Sequence, residues 1–161
     1  TEALAAEGLL ACSDGERVKT VNDCYALRSL PCVDPEEEEE EEGAEERAAR
    51  MGRQPAHSDS PMAEEGCPAL EELADADMPL SVLLAIQPGT KLWVFPRGCG
   101  DEESAFLARV EVGDIMVWRG DLVHAGAGYA EEHVRVHAYV DPPAEIYKRP
   151  FGKTNRCAVE A

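Results

Sequence analysis

Between Leu80 and Pro143 the chain is cut into apolar segments too short for ordinary helices. Gln87-Pro88-Gly89-Thr90 separates LSVLLAI from KLWVF, and Pro96 ends the second segment. Gly113-Asp114 separates FLARVEV from IMVW, and Arg119-Gly120-Asp121 precedes LVH. Gly126 and Gly128 precede HVRVHAYV, which Pro142-Pro143 closes. Globular helices need about 10–12 residues to form a buried stripe, whereas strands need about 4–8. Closely spaced strands with Gly, Pro and Asp turns predict a sandwich or barrel. Pro88 followed by Gly89 suits a type II turn, which asks for positive φ at its third residue.

The last of these segments alternates most clearly. Val134, Val136, Ala138 and Val140 share one face, and His133, Arg135, His137 and Tyr139 share the other, because strand side chains repeat with period two. Two readings stay open. The polar face lies in water on an edge strand, or it lines the mouth of a barrel where an arginine and aromatic rings meet an anionic ligand.

The chain upstream of Leu80 is less regular. Thr1 to Cys12 is rich in Ala and Leu and predicts a helix, and Arg17 to Val33 predicts one or two short strands. Glu36 to Glu42 is a run of seven glutamates. Like charges in a row repel one another and bury nothing, so the run reads as a disordered loop. The alternative is an acidic tract that docks to a basic partner. Ala44 to Met51 predicts a helical turn, and Pro68 with ALEELADAD predicts a short helix with Pro in its first turn.

Charge excludes whole classes of partner. With 33 acids against 15 bases the formal net charge is −18. Such a field repels phosphate backbones, which argues against nucleic-acid binding, and against anionic membrane surfaces. No apolar run approaches the roughly 18 residues of a membrane span. The opening TEALAAEGLLAC lacks the basic flank of a signal peptide, so an intracellular, cytoplasmic location is expected. The first residue is not Met, so targeting segments can lie outside this chain. Six cysteines, at 12, 24, 32, 67, 99 and 157, form no C-x-x-C pair and read as free thiols.

Four histidines are present, and their company is informative. QPAHSD supplies His57-x-Asp59, LVHAGAG ends a strand at His124, and Arg135 follows on the next strand. Two imidazoles and one carboxylate can occupy one face of an Fe(II) octahedron and leave positions open for a chelating cosubstrate and O2. An arginine fork can bind the far carboxylate of such a chelator. The small residues Ala125 to Gly128 allow close approach beside His124.

The stretches QPAHSD, LSVLLAIQPGTKLWVFP, VEVGDIMVWRGDLVHAGAGY and HVRVHAYVD together resemble the 2-oxoglutarate/Fe(II)-dependent dioxygenase superfamily, nearest to its phytanoyl-CoA-hydroxylase-like members. The likeness spans roughly residues 54–141. It implies a mainly β fold, a double-stranded β-helix or jelly roll with short flanking N-terminal helices. It also implies Fe(II), 2-oxoglutarate and O2, and hydroxylation of a small-molecule or side-chain substrate with decarboxylation of 2-oxoglutarate to succinate. On that resemblance His57, Asp59 and His124 are the iron ligands and Arg135 binds the cosubstrate. His137 stands where many members carry Ser or Thr, and Lys91 and Gln54 are further cosubstrate candidates. Trp93, Trp118 and Tyr129 either line the cavity or pack in the core.

The expected organisation is a core-completing N-terminal part (1–35), an acidic loop (36–53), the catalytic β-helix (54–143) and a C-terminal tail (144–161). Two rivals remain: a cupin-like metal-binding jelly roll that uses no 2-oxoglutarate, and a non-catalytic β domain that acts as an acidic interaction module.

Overall fold

A computed structural model describes residues 19–32, 41–60, 70–98, 101–150 and 155–156. The elements are β1 (Thr20–Ser29), α1 (Glu41–Met51), β2 (His57–Ser58), two 3-10 turns (Leu70–Glu72 and Asp75–Asp77), β3 (Leu80–Leu84) and β4 (Thr90–Phe95). Then follow β5 (Phe106–Val110), β6 (Ile115–Arg119), β7 (Val123–Gly126), β8 (His133–Asp141) and β9 (Asn155–Arg156). One sheet has the order β1-β8-β3-β6 and the other β5-β4-β7-β2-β9, and every recorded pairing is antiparallel. Strands one to eight in that order, split between two facing sheets, are the double Greek key of a jelly roll. The expected fold class is therefore the observed one, with β9 added at an edge.

The inter-sheet core holds Leu83 and Ala85 from one side and Leu92, Val94 and Val110 from the other, with Trp118 of β6 among them. A second cluster lies on the outer face of β4 and β7, where Ala49 of α1 meets Trp93, Phe95 and Ala125. Every residue of β4 is consequently buried, since one face meets the other sheet and the opposite face meets the helix. Trp93 is thus a core residue, and its Nε1–H donates to the Ala49 carbonyl at 2.8 Å. Gly89 has φ +79°, as its turn requires.

β1 is one long strand rather than two short ones, and it carries a bulge. The register with β8 shifts between Asn22 and Tyr25, and Asp23 takes φ +47°. An extra residue reverses which side chains face inward. Asn22 reaches inward to Asp141 before the bulge, and Tyr25 and Leu27 line the interior after it.

Other expectations shift at their edges. α1 begins at Glu41, so the last two glutamates of the acidic run are helical, and the helical turn expected from Ala44 is longer. Glu36 to Glu40, the expected N-terminal helix over Thr1 to Cys12, and Pro68 lie outside the described residues. ALEELADAD contributes two 3-10 turns instead of one helix. Cys24 and Cys32 are free thiols. Among the described residues no helix is long and apolar enough to cross a membrane.

Candidate metal centre

The polar face of β8 turns inward. His133, Arg135 and His137 are buried while Val134 and Val136 are only half-buried, the reverse of an ordinary amphipathic strand. Of the two readings left open by the sequence, the lined interior is the correct one. A cavity of about 160 Å³ opens between the sheets. His57, Asp59, His124, Gln54, Arg135 and His137 all line it.

Strand pairing brings the donors together. His57 of β2 is the register partner of His124 of β7. Directly opposed residues have Cβ atoms about 4.5–5.5 Å apart, and the two rings pack with centroids 4.6 Å apart. Asp59 lies two residues past His57. Its Oδ1 is 3.7 Å from His57 Nε2, and its Oδ2 is 3.4 Å from His124 Nε2. The three ligand atoms that His57, Asp59 and His124 can offer lie within 4.8 Å of one another.

The tautomers suit metal binding. His57 Nδ1 is 2.9 Å from the Pro55 carbonyl, and His124 Nδ1 is 2.9 Å from the Leu122 carbonyl. A carbonyl only accepts, so each Nδ1 carries a proton and each Nε2, on the Asp59 side, is the atom a metal would take. Burial alone pushes the Asp59 carboxyl up. The His137 and His124 imidazoles and the Ser81 hydroxyl, which donates to Oδ2 at 2.5 Å, outweigh it and hold the group well below the usual carboxylate range. Burial pushes His124 down, against the opposing pull of Asp59, and so favours the neutral ligand form. One carboxylate beside two imidazoles is a donor set that a divalent first-row metal fits.

Arg135 lines the same cavity and is 2% exposed. Its Nη1 donates to Ser29 Oγ at 2.8 Å, and its guanidinium stands 5.5 Å from the Tyr129 ring centre. Among the described residues no carboxylate pairs with it. Burial pushes its pKa down, with Tyr129 opposing. Gln54 is pinned to Gly126 at two points, its N–H donating to the Gly126 carbonyl at 2.9 Å and its Oε1 accepting from the Gly126 N–H at 3.2 Å. A Cβ at Gly126 would stand 2.6 Å from Gln54 Oε1 and 3.0 Å from Arg135 Nη2, so a larger residue would push both side chains from their present positions.

Two expected members are placed differently from each other. His137 joins the metal end, with Nε2 3.6 Å from Asp59 Oδ2. Lys91 does not line the cavity. Strand alternation turns it to the helix side of β4, where Nζ pairs with Glu45 of α1. Tyr129 does not line the cavity either: its hydroxyl donates to the Lys91 carbonyl and accepts the Lys91 N–H, and its ring stacks on His133. Trp118 does line the cavity, edge-on to His124 at 5.0 Å. Ser81 and Ser29 were not singled out from the sequence. A lone serine inside the apolar run LSVLL was the available signal for Ser81.

Fold and site thus define a jelly-roll protein with a candidate His–Asp–His metal centre. No protein-family model matches the chain, and no curated protein matches it. A similar solved structure is an uncharacterized conserved protein with a double-stranded beta-helix domain from Klebsiella pneumoniae subsp. pneumoniae. It is 12% identical, with 95% of this chain and 94% of that chain covered and a TM-score of 0.40. At that score the likeness carries no weight beside the strand order.

Proposed function

We propose that the protein is an Fe(II)- and 2-oxoglutarate-dependent oxygenase. The observation that carries this reading is Arg135, a buried guanidinium without a carboxylate among the described residues, lining the same cavity as His57, Asp59 and His124. A buried charge is costly unless paired, and a dicarboxylate cosubstrate supplies the missing anion. His57, His124 and Asp59 would hold the iron, which when bound supplies O2 activation coupled to loss of CO2 from the cosubstrate. Arg135 would orient the far carboxylate through its fork, and Ser29 and Gly126 keep that fork in place and accessible. Trp118, Leu83 and Leu92 exclude water from the reacting end. Lys91, held by Glu45 behind the sheet, has no part in this assignment.

One observation favours a second reading. His137 adds a third imidazole beside Asp59, which suits a cupin-like metal site that uses no 2-oxoglutarate. Anaerobic Fe(II) titration with and without 2-oxoglutarate separates the two. The first predicts a weak visible charge-transfer band on adding the cosubstrate. Iron binding with no such band supports the second.

A further inference from the structure

Asp59 sits just beyond a two-residue strand, which is too short to fix a ligand by itself. Ser81 holds its carboxylate, but a second group holds its backbone. Arg149 Nη1 donates to the Asp59 carbonyl at 2.7 Å. The same guanidinium forks onto Asp141 at the end of β8, with Nε 3.0 Å from Oδ2 and Nη2 2.6 Å from Oδ1. Its Cζ lies 3.9 Å from the centre of the Tyr139 ring, and Tyr139 lines the cavity.

Arg149 is delivered by a folded segment rather than a loose tail. Ile146 and Tyr147 turn back onto the Pro143 carbonyl, and Tyr147 is buried beside Leu70 and Met78. A few residues later β9 pairs with β2, placing Asn155 opposite Ser58 and Arg156 opposite His57. Asp141 is buried and the Arg149 side chain is largely covered, the two being 3% and 9% exposed. A buried ion pair is a poor source of stability compared with apolar packing, whereas its planar fork fixes geometry well.

We propose that Arg149 is a positioning residue of the metal centre, which sets the Asp59 backbone so that its carboxylate faces His57 and His124. This inference rests on the metal reading above and not on the identity of the cosubstrate. The test is cobalt(II) titration of the full chain, read by affinity and by the visible ligand-field bands, for wild type, Arg149→Lys and Arg149→Ala. Thermal unfolding of each metal-free protein is measured alongside. Loss of a group that orients a ligand costs about 10–100-fold in metal affinity, so Arg149→Ala should lose at least about tenfold and shift the bands. Arg149→Lys should recover part of the affinity, because an ammonium can donate to the Asp59 carbonyl but cannot fork onto Asp141. A merely structural arginine would lower the unfolding midpoint and leave cobalt affinity unchanged in the folded protein, which overturns the proposal. If Arg149→Ala does not fold, wild-type affinity and bands in Arg149→Lys overturn it instead. A wild type that takes up no cobalt removes the metal reading together with this one; equal uptake by wild type and folded variants removes this one alone.

Discussion

β4 and β8 lie in opposite sheets and are both buried, yet they do opposite things with burial. β4 puts Leu92 and Val94 into the inter-sheet core and Trp93 and Phe95 under α1. Its one charge, Lys91, is neutralised by Glu45. β8 turns imidazoles inward, together with an arginine that meets no carboxylate among the described residues, and leaves valines half-exposed. Apolar burial stabilises by roughly 25 cal/mol per Å², whereas an unpaired buried cation costs stability. The comparison teaches that β4 is packed for stability, whereas β8 carries a buried charge that packing alone does not explain.

The largest break in that comparison is expected at the metal end. His57→Ala, Asp59→Ala and His124→Ala should each abolish stoichiometric Fe(II) binding in anaerobic titration, while metal-free unfolding stays cooperative. Retained binding in two of them would move the site elsewhere. On β4, Phe95→Ala should destabilise by about 3–5 kcal/mol in urea unfolding, the cost of a large core truncation, because Phe95 is 1% exposed.

Arg135 sharpens the contrast, because it should favour ligand binding while weakening the metal-free fold. Arg135→Ala is expected to leave iron affinity nearly unchanged and to weaken 2-oxoglutarate binding by about 2–5 kcal/mol, the range for truncating one partner of a buried charge pair. Arg135→Lys should recover only part. Arg135→Met should raise metal-free stability by about 1 kcal/mol, since an apolar side chain of similar length replaces a desolvated charge. Turnover to succinate at saturating iron and chemical denaturation read the two halves.

Acid should act through the metal-end residues. Asp59 is held low in the folded protein, so its stabilisation is present above its unfolded value near 4 and fades as pH falls below it. His124 is also held low, so the unfolded chain binds more protons below about pH 6.5 and stability falls there too. Metal-free wild type should therefore lose stability in two stages on acidification. Asp59→Asn should lose the lower stage, and an unchanged profile in that variant would contradict the electrostatic account. The smallest effect belongs to the surface pair Arg28–Glu132, whose side chains are 63% and 50% exposed. Glu132→Gln should leave the urea midpoint unchanged within error.

Much of the β-helix was legible because its signals are local. Turn residues mark the ends of β3 to β8, and the period-two pattern of HVRVHAYV separates its faces. Which face turns inward was not legible, since alternation is symmetric and only pairing with β1 and β3 decides it. The same ambiguity hid Lys91: in KLWVF both faces are buried, so composition does not say which side meets the cavity. The convergence of His57, Asp59 and His124 was anticipated from order and chemistry, because a single β2–β7 pairing suffices to produce it. Arg149 carried no local signal at all. Its contacts with Asp59 and Asp141 depend on the Tyr147 anchor.

The β1 bulge makes one place in this strand indifferent to counting. Asn22 stands opposite Tyr139 and Tyr25 opposite His137, so three residues of β1 cover the span of two on β8. A one-residue deletion at Asp23 or Cys24 would restore regular pairing and leave Tyr25, Leu27 and Ser29 facing Tyr139, the cavity and Arg135, because their partners on β8 are unchanged. Deleting Ala26 instead would turn Leu27 and Ser29 outward and Arg28 inward, bringing a second guanidinium beside Arg135 and removing the serine that steadies it. A lost residue that the bulge absorbs would, two positions later, exchange the walls of the chamber.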